Sequence, residues 1–275
     1  QPVGRLRFAK NALNFERAGI AVASAAGSAL KKCVLELGGS DPFIVLGDAD
    51  VDLAIESAVK ARFQNNGQSC IAAKRFIVED RIYDRFVRSF ADAAALQRIG
   101  DPMDNQTQLG PCARSDLRDT LERQITDTVV GGGRIVTGGK PVDRPGFFFE
   151  PTIVADVDEG MPMFDQETFG PAAAVARARD DAHAIELAND STFGLGANIW
   201  TRDVDHASRM AAEIESGLVF INGMVASDPR LPFGGVKRSG YGRELSEFGI
   251  HEFVNIQTVW VGPERKDSAS IPSAE

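Results

Sequence analysis

Cysteine and histidine are scarce in this chain, with three of each among 275 residues. Cys33, Cys70 and Cys112 are odd in number, widely spaced and without a CxxC pair, which argues against a disulfide framework and against a zinc site. His183, His206 and His251 do not cluster with them, and no metal is expected. No apolar run approaches the length of a membrane-spanning helix, and the N-terminus has no hydrophobic signal core, so a reducing, cytoplasmic setting is expected, with no membrane partner. Positive charge is in deficit too: 30 Lys and Arg stand against 39 Asp and Glu, a formal net charge of −9. That balance opposes a general nucleic-acid surface and points to small-molecule partners. Internal repeats are also absent.

What is present is 43% hydrophobic and 25% charged, enough for one large domain or two smaller ones with a sizeable core. A small, apolar run over 18–30 suits a helix packed closely on a sheet, with Lys31 and Lys32 favourably placed at its C-terminal end. Strands are expected over 33–39, ended by Gly38-Gly39, and over 43–46. Asp48 or Asp50 then caps a helix whose apolar face is Val51, Ala54, Ala58 and Ala61. A strand over 74–78, a helix over 82–95 and a helix over 113–130 follow. Gly131-Gly132-Gly133 lacks phosphate-loop spacing and reads as a helix C-cap before a strand over 134–136. Helices over 181–189 and 204–215 alternate with strands over 195–200 and 218–221. This alternation predicts an α/β fold with a parallel βαβ sheet. A β-type run over 253–261 and a charged, Ser-rich tail over 264–275, expected to be disordered, close the chain.

Two residues stand out chemically. Cys70 ends Phe-Gln-Asn-Asn-Gly-Gln-Ser-Cys, which delivers one thiol on a glycine-containing turn in a connection beside the sheet. Composition by itself favours a buried filler over a nucleophile there. Glu36 interrupts an apolar strand, and an acid so placed must reach solvent, a cation or a site. An edge strand with one solvated Glu is the blander reading, a catalytic base the sharper one.

Four segments decide between these readings. Leu35-Glu36-Leu37-Gly38-Gly39, Gly67-Gln68-Ser69-Cys70, Glu167-Thr168-Phe169-Gly170-Pro171 and Pro232-Phe233-Gly234-Gly235-Val236-Lys237 together, in that order, resemble the aldehyde dehydrogenase superfamily. The stretches Cys33 to Phe43 and Ala72-Ala73-Lys74-Arg75-Phe76 look most like its succinate-semialdehyde dehydrogenase branch. The resemblance implies oxidation of an aldehyde to the acid with NAD or NADP as cofactor, Cys70 acting as the nucleophile that forms a thiohemiacetal and then a thioester. It gives Glu36 the role of general base on the hydrolytic water, a task needing a carboxyl whose pKa is raised toward neutrality. Glu167 would hold the nicotinamide ribose, Phe169 would pack beside the ring, and the Leu37 carbonyl would orient the carboxamide. Ser227 matches a serine that binds a distal carboxylate in some semialdehyde-specific members; a loop-capping hydroxyl is an equal reading.

The resemblance also implies a division of the chain: an unassigned, divergent 1–15, a remnant of a Rossmann-like cofactor domain over 16–38, a catalytic domain over 39–250, and an oligomerisation strand over 251–262 that makes a homo-oligomer. Family members carry roughly two hundred further residues ahead of this region. The phosphate-binding Thr-Gly-Ser of the family aligns with Leu13-Asn14-Phe15, so weak dinucleotide binding and low turnover are expected of the chain. Where many semialdehyde enzymes place an arginine for the distal carboxylate, this chain has Gln64, with Arg62 nearby. Two other readings stand beside the dehydrogenase: an esterase-only or inert remnant, and a noncatalytic oligomerising module.

Overall fold

The structure, a computed structural model, describes residues 15–263. The reading of 1–15, apart from its last residue, and that of the tail over 264–275 lie outside the described residues.

The first helix, α1 (Phe15–Ser28), leads to β1 (Leu35–Glu36) and β2 (Asp41–Val45). The helix α2 (Val51–Phe63) starts where the Asp50 carboxylate accepts the Leu53 N–H at 3.2 Å, and it buries Val51, Ala54, Ile55, Ala58 and Ala61. After the short turn Gln64–Gly67 come β3 (Ala73–Glu79), α3 (Asp80–Ala95), α4 (Ser115–Val130) and β4 (Arg134–Thr137). Gly131 caps α4, as the sequence predicts. Then follow β5 (Thr152–Ala155), α5 (Pro162–Asp165), β6 (Ala172–Ala178), α6 (Asp181–Asn189), β7 (Phe193–Gly194), β8 (Gly196–Trp200), α7 (Val204–Ala211) and β9 (Leu218–Ile221). The small strands β10 (Val236–Lys237) and β11 (Gly240–Tyr241) and the helix α8 (Ser246–Glu252) complete the fold.

Seven strands form one sheet in the order β4-β5-β6-β3-β2-β8-β9, parallel throughout except for the antiparallel edge strand β4. Successive side chains on a strand point to opposite faces, and both faces are covered. Phe43 and Val45 of β2 join Phe76 and Val78 of β3 in the core beneath α2 and α3, where the Phe76 and Phe90 rings lie 4.7 Å apart. Ile44 and Ile77 face the other way, into the core shared with Leu121, Leu187 and Met210 of α4, α6 and α7. The α/β architecture with a parallel sheet is therefore present. Among the described residues no helix is long and apolar enough to cross a membrane.

Several local expectations are corrected. The strand over 33–39 shrinks to β1, which lies outside the large sheet and pairs antiparallel with β11. The helix over 204–215 stops at Ala211. The β-type run foreseen over 253–261 forms no strand within the single chain, where residues 254–263 are neither helix nor strand; the oligomerisation role foreseen for 251–262 concerns pairing between subunits. A β-strand exists only against a hydrogen-bonding neighbour, and none of the described residues pairs with that segment. Its Val254, Ile256, Val259 and Trp260 are exposed.

Candidate active site

The parallel strands carry the candidate site at their N-terminal edge, in the connection from α2 to β3. Asn65, Asn66 and Gly67 all adopt left-handed backbone geometry, with φ of 51°, 58° and 69°. Asparagine and glycine tolerate that region best, which explains the Asn-Asn-Gly run. At Gly67 a Cβ would fall 2.2 Å from the Gly170 carbonyl oxygen, so no side chain fits. The Asn65 amide donates to the Gln68 carbonyl at 2.7 Å, and the Gln68 side-chain oxygen accepts the Ala113 N–H at 2.8 Å. The turn then presents Cys70, half-buried, to a cleft of about 480 Å³.

Arg62 holds this turn from behind. It is fully buried, and its guanidinium donates to the carbonyls of Ala73 at 2.9 Å, Gly67 at 2.8 Å and Gly170 at 2.6 Å. The nucleophile turn is thereby stapled to the Glu167-to-Pro171 turn. Burial pushes the guanidinium down to about 9, yet it stays protonated at neutral pH. Arg62, noted from sequence as near the substrate carboxylate position, is committed to these carbonyls. Arg62→Ala is expected to lower unfolding stability by about 3 kcal/mol or more, because buried carbonyls lose a charged donor; urea denaturation measures it.

The cleft is lined by Glu36, Leu37, Gln64, Asn65, Gln68, Ser69, Cys70 and Phe169. Four of the six residues singled out from sequence, Glu36, Leu37, Cys70 and Phe169, thus share one wall system. Both Glu36 carboxylate oxygens are buried and without a hydrogen-bond partner. Burial, reinforced by Glu244 and opposed by Arg243, pushes the Glu36 carboxyl up to about 7. Both oxygens are thus withdrawn from solvent on a strand, β1, that pairs with β11, which favours the sharper reading of Glu36 over that of a solvated edge residue. Gly234 leaves the space, since a Cβ there would sit 2.7 Å from Glu36 Oε1.

Burial likewise pushes the Cys70 thiol up; the Lys74 ammonium and the Ile71 N–H pull it back, while Asp41 and Glu167 push with burial. The resting group is a thiol, so a base or a bound electrophile must draw out its proton. Glu167 does not line the cleft. Its Oε1 accepts the Gly39 N–H at 3.1 Å. Ser227 lies exposed on the 222–228 loop and is not among the cleft-lining residues.

Sequence reasoning missed Asp41 and gave Lys74 no role. Asp41 is buried in β2, accepts the Gly196 N–H at 3.0 Å, and has its carboxyl pushed up to about 6 by burial, against the pull of Lys74. Lys74, also fully buried, contacts Glu167 at 3.4 Å. The available signal was two cations, Lys74 and Arg75, inside an otherwise apolar strand.

Comparison with known proteins accords with this geometry. The sequence pattern of the aldehyde dehydrogenase family matches residues 16–259. The chain is 57% identical over 244 residues to the succinate semialdehyde dehydrogenase [NAD(P)+] Sad of Escherichia coli, covering 89% of this chain and 53% of that protein. It is 52% identical over 254 residues to a Mycobacterium avium succinate-semialdehyde dehydrogenase [NADP(+)], with coverages of 92% and 54%. The crystal structure of succinic semialdehyde dehydrogenase from Streptococcus pyogenes with NADP+ superposes with a TM-score of 0.87 at 43% identity, covering 90% of this chain and 55% of the other. The chain spans about half the length of the curated relatives it matches. On its matched residues, its fold and these similarities, the chain belongs to the aldehyde dehydrogenase family.

Proposed function

We propose that this chain takes part in oxidising an aldehyde to its carboxylic acid with NAD or NADP, and that succinate semialdehyde is the substrate. One observation carries the chemistry: Cys70 and a buried, partnerless Glu36 face the same cleft. The substrate follows from relatives named for it and the cofactor from relatives named for NAD(P)+ and NADP(+).

In this reading Cys70 Sγ adds to the aldehyde carbon while the thiol proton passes to the aldehyde oxygen, toward which the Cys70 backbone N–H donates as negative charge develops there. The residues present fit the dinucleotide: Gly38 keeps space beside Glu167 Oε2, where a Cβ would come within 2.5 Å, and Leu37 and Phe169 line the cleft. Leu37, Glu167 and Phe169 would hold it. Bound there, NAD(P) supplies a hydride acceptor. Glu36, half-ionised near neutrality, then takes a proton from the water that attacks the Cys70 thioester. The departing Cys70 sulfur takes back the proton held by Glu36, and the proton lost from the adduct's oxygen passes to solvent, so acid and thiol return to their starting states. Residues 16–38 are read as part of the cofactor-binding side and 39–250 as the catalytic domain. The exposed apolar residues of 251–262 support a homo-oligomer in which that segment finds a strand partner.

The test is incubation of the purified chain with succinate semialdehyde and NADP, following the absorbance of reduced nicotinamide and the mass of the Cys70 peptide. Reduced cofactor with transient acylation of Cys70 is expected; the absence of both would overturn the proposal. An ester hydrolysed at Cys70 without any dinucleotide binding would favour the esterase-only reading.

No cation is among the residues lining the cleft. A distal carboxylate there meets side-chain amides, and these bind it less strongly than a bidentate guanidinium. Gln64→Arg is therefore expected to raise kcat/KM for succinate semialdehyde relative to an uncharged aldehyde of similar length by about tenfold, a figure of the order one charge-assisted bond supplies. Competition kinetics with the two aldehydes measures the ratio.

A further inference from the structure

Lys74 is the second residue of β3, and its side chain is wholly removed from solvent. A buried ammonium needs acceptors, and this one has three. Nζ donates to the Ser69 carbonyl at 3.0 Å and the Cys70 carbonyl at 2.8 Å, and it lies 3.4 Å from Glu167 Oε1. One cationic head thus grips the backbone of the nucleophile and a carboxylate from a turn far away in sequence. Burial pushes the Lys74 ammonium down, while Glu167, Asp41 and Cys70 hold it up.

The Glu167 carboxylate is fixed unevenly. Its Oε1 receives the Gly39 N–H at 3.1 Å as well as facing Lys74, so one oxygen is anchored from two elements. Its Oε2 stands over Gly38, where a Cβ would approach to 2.5 Å and the bare backbone leaves the approach open. Two oxygens of one carboxylate therefore have different tasks: one is tied down and the other is held out as an acceptor. An acceptor held rigid in this way complements a ligand hydroxyl, because little conformational freedom is lost when the bond forms.

We infer that Lys74 is a positioning residue that locks the Cys70 turn and the Glu167 carboxylate into one unit, so that nucleophile and cofactor-ribose acceptor are placed together. This rests on the reading of Glu167 as the ribose-binding carboxylate. A plain structural strut would make the same contacts, but it would alter only stability.

The experiment uses Lys74→Met, which keeps most of the buried stem, and Lys74→Met with Glu167→Gln, which removes both charges so that no unpaired carboxylate is left buried. NADP affinity is measured by isothermal titration, and Cys70 alkylation by iodoacetamide is followed across pH. The groups acting on the thiol are Lys74, Asp41, Glu167 and the Ile71 N–H, and Glu36 shares its cleft and is unchanged in both variants. Losing the Lys74 ammonium is expected to raise the alkylation midpoint of Lys74→Met by roughly one pH unit. In the double variant the rise is smaller, because an anion leaves with the cation. NADP affinity is expected to fall about tenfold or more in both, the scale of one lost charge-assisted contact. With the dehydrogenase running, KM for NADP rises while KM for the aldehyde stays within about twofold.

An unchanged alkylation midpoint in Lys74→Met overturns the inference, whatever the cofactor does. If Lys74→Met fails to fold, a double variant that folds and binds NADP as tightly as wild type overturns it. If wild type itself binds no NADP, the proposed function fails, and the alkylation arm still decides whether Lys74 tunes the Cys70 turn.

Discussion

Cys70→Ala is expected to abolish NAD(P)-dependent aldehyde oxidation, by roughly 10⁴-fold or more, the order lost when a covalent nucleophile is deleted from other enzymes. The expectation rests on the turn that presents it. Three left-handed residues, the Arg62 staple and the Lys74 contact to the Cys70 carbonyl all fix one thiol at a cleft wall. Removing a half-buried sulfur from that wall leaves those backbone contacts in place, so the variant is expected to keep its unfolding midpoint. Cys70→Ser is expected to be nearly as inactive, because a hydroxyl is far harder to ionise than a thiol and burial already opposes charge here. Initial rates of nicotinamide reduction, with circular dichroism to verify folding, provide the measurement. Residual activity above about one part in a hundred in Cys70→Ala would remove Cys70 from the mechanism.

Glu36→Gln is expected to slow turnover by roughly 10² to 10⁴, the range for loss of a general base. The stage affected is release of the acyl group, so the variant should accumulate acylated Cys70, visible as intact mass, after a single rapid turnover. The pH dependence is equally specific. Wild-type kcat is expected to rise with pH through about 7 as Glu36 ionises, and this limb should vanish in Glu36→Gln. Stability should move the opposite way. The folded-state pKa of Glu36 lies above its ordinary value of about 4.5, so the folded chain binds the extra proton more readily than the unfolded one. The resulting stabilisation is complete below about 4.5 and is lost as pH rises through about 7. Glu36→Gln, neutral at every pH, should therefore melt higher than wild type at pH 8 and show little difference at pH 5. A variant both slower and more stable at alkaline pH marks a carboxyl held in an unfavourable site for its function. Equal melting temperatures at pH 8 would show that Glu36 is solvated.

Much of this architecture was legible in the chain. Strands β2, β3, β8 and β9 are marked by the apolar runs Phe43-Ile44-Val45, Phe76-Ile77-Val78, Ile199-Trp200 and Leu218-Val219-Phe220-Ile221, as strands buried on both faces require, and α6 and β9 fall where their periodicity puts them. Strand β6 carried no such signal. Its Ala-Ala-Ala-Val-Ala-Arg-Ala favours helix by intrinsic propensity, and it becomes a strand because β3 and β5 lie on either side of it. The run over 253–261 is the opposite case: it has strand composition, and none of the described residues pairs with it.

The amino-acid sequence by itself determined the alternation of elements, the family, and the two residues on which the chemistry is proposed to turn, since motif and periodicity are local properties. Only the tertiary structure decided what surrounds them. That Glu36 is buried without a partner, that Arg62 serves carbonyls instead of substrate, that Lys74 joins Cys70 to Glu167, and that Ser227 stands outside the cleft all depend on contacts between segments distant in the chain. Desolvation and long-range pairing set charge states and side-chain commitments, and neither is encoded in the spacing of residues along the chain.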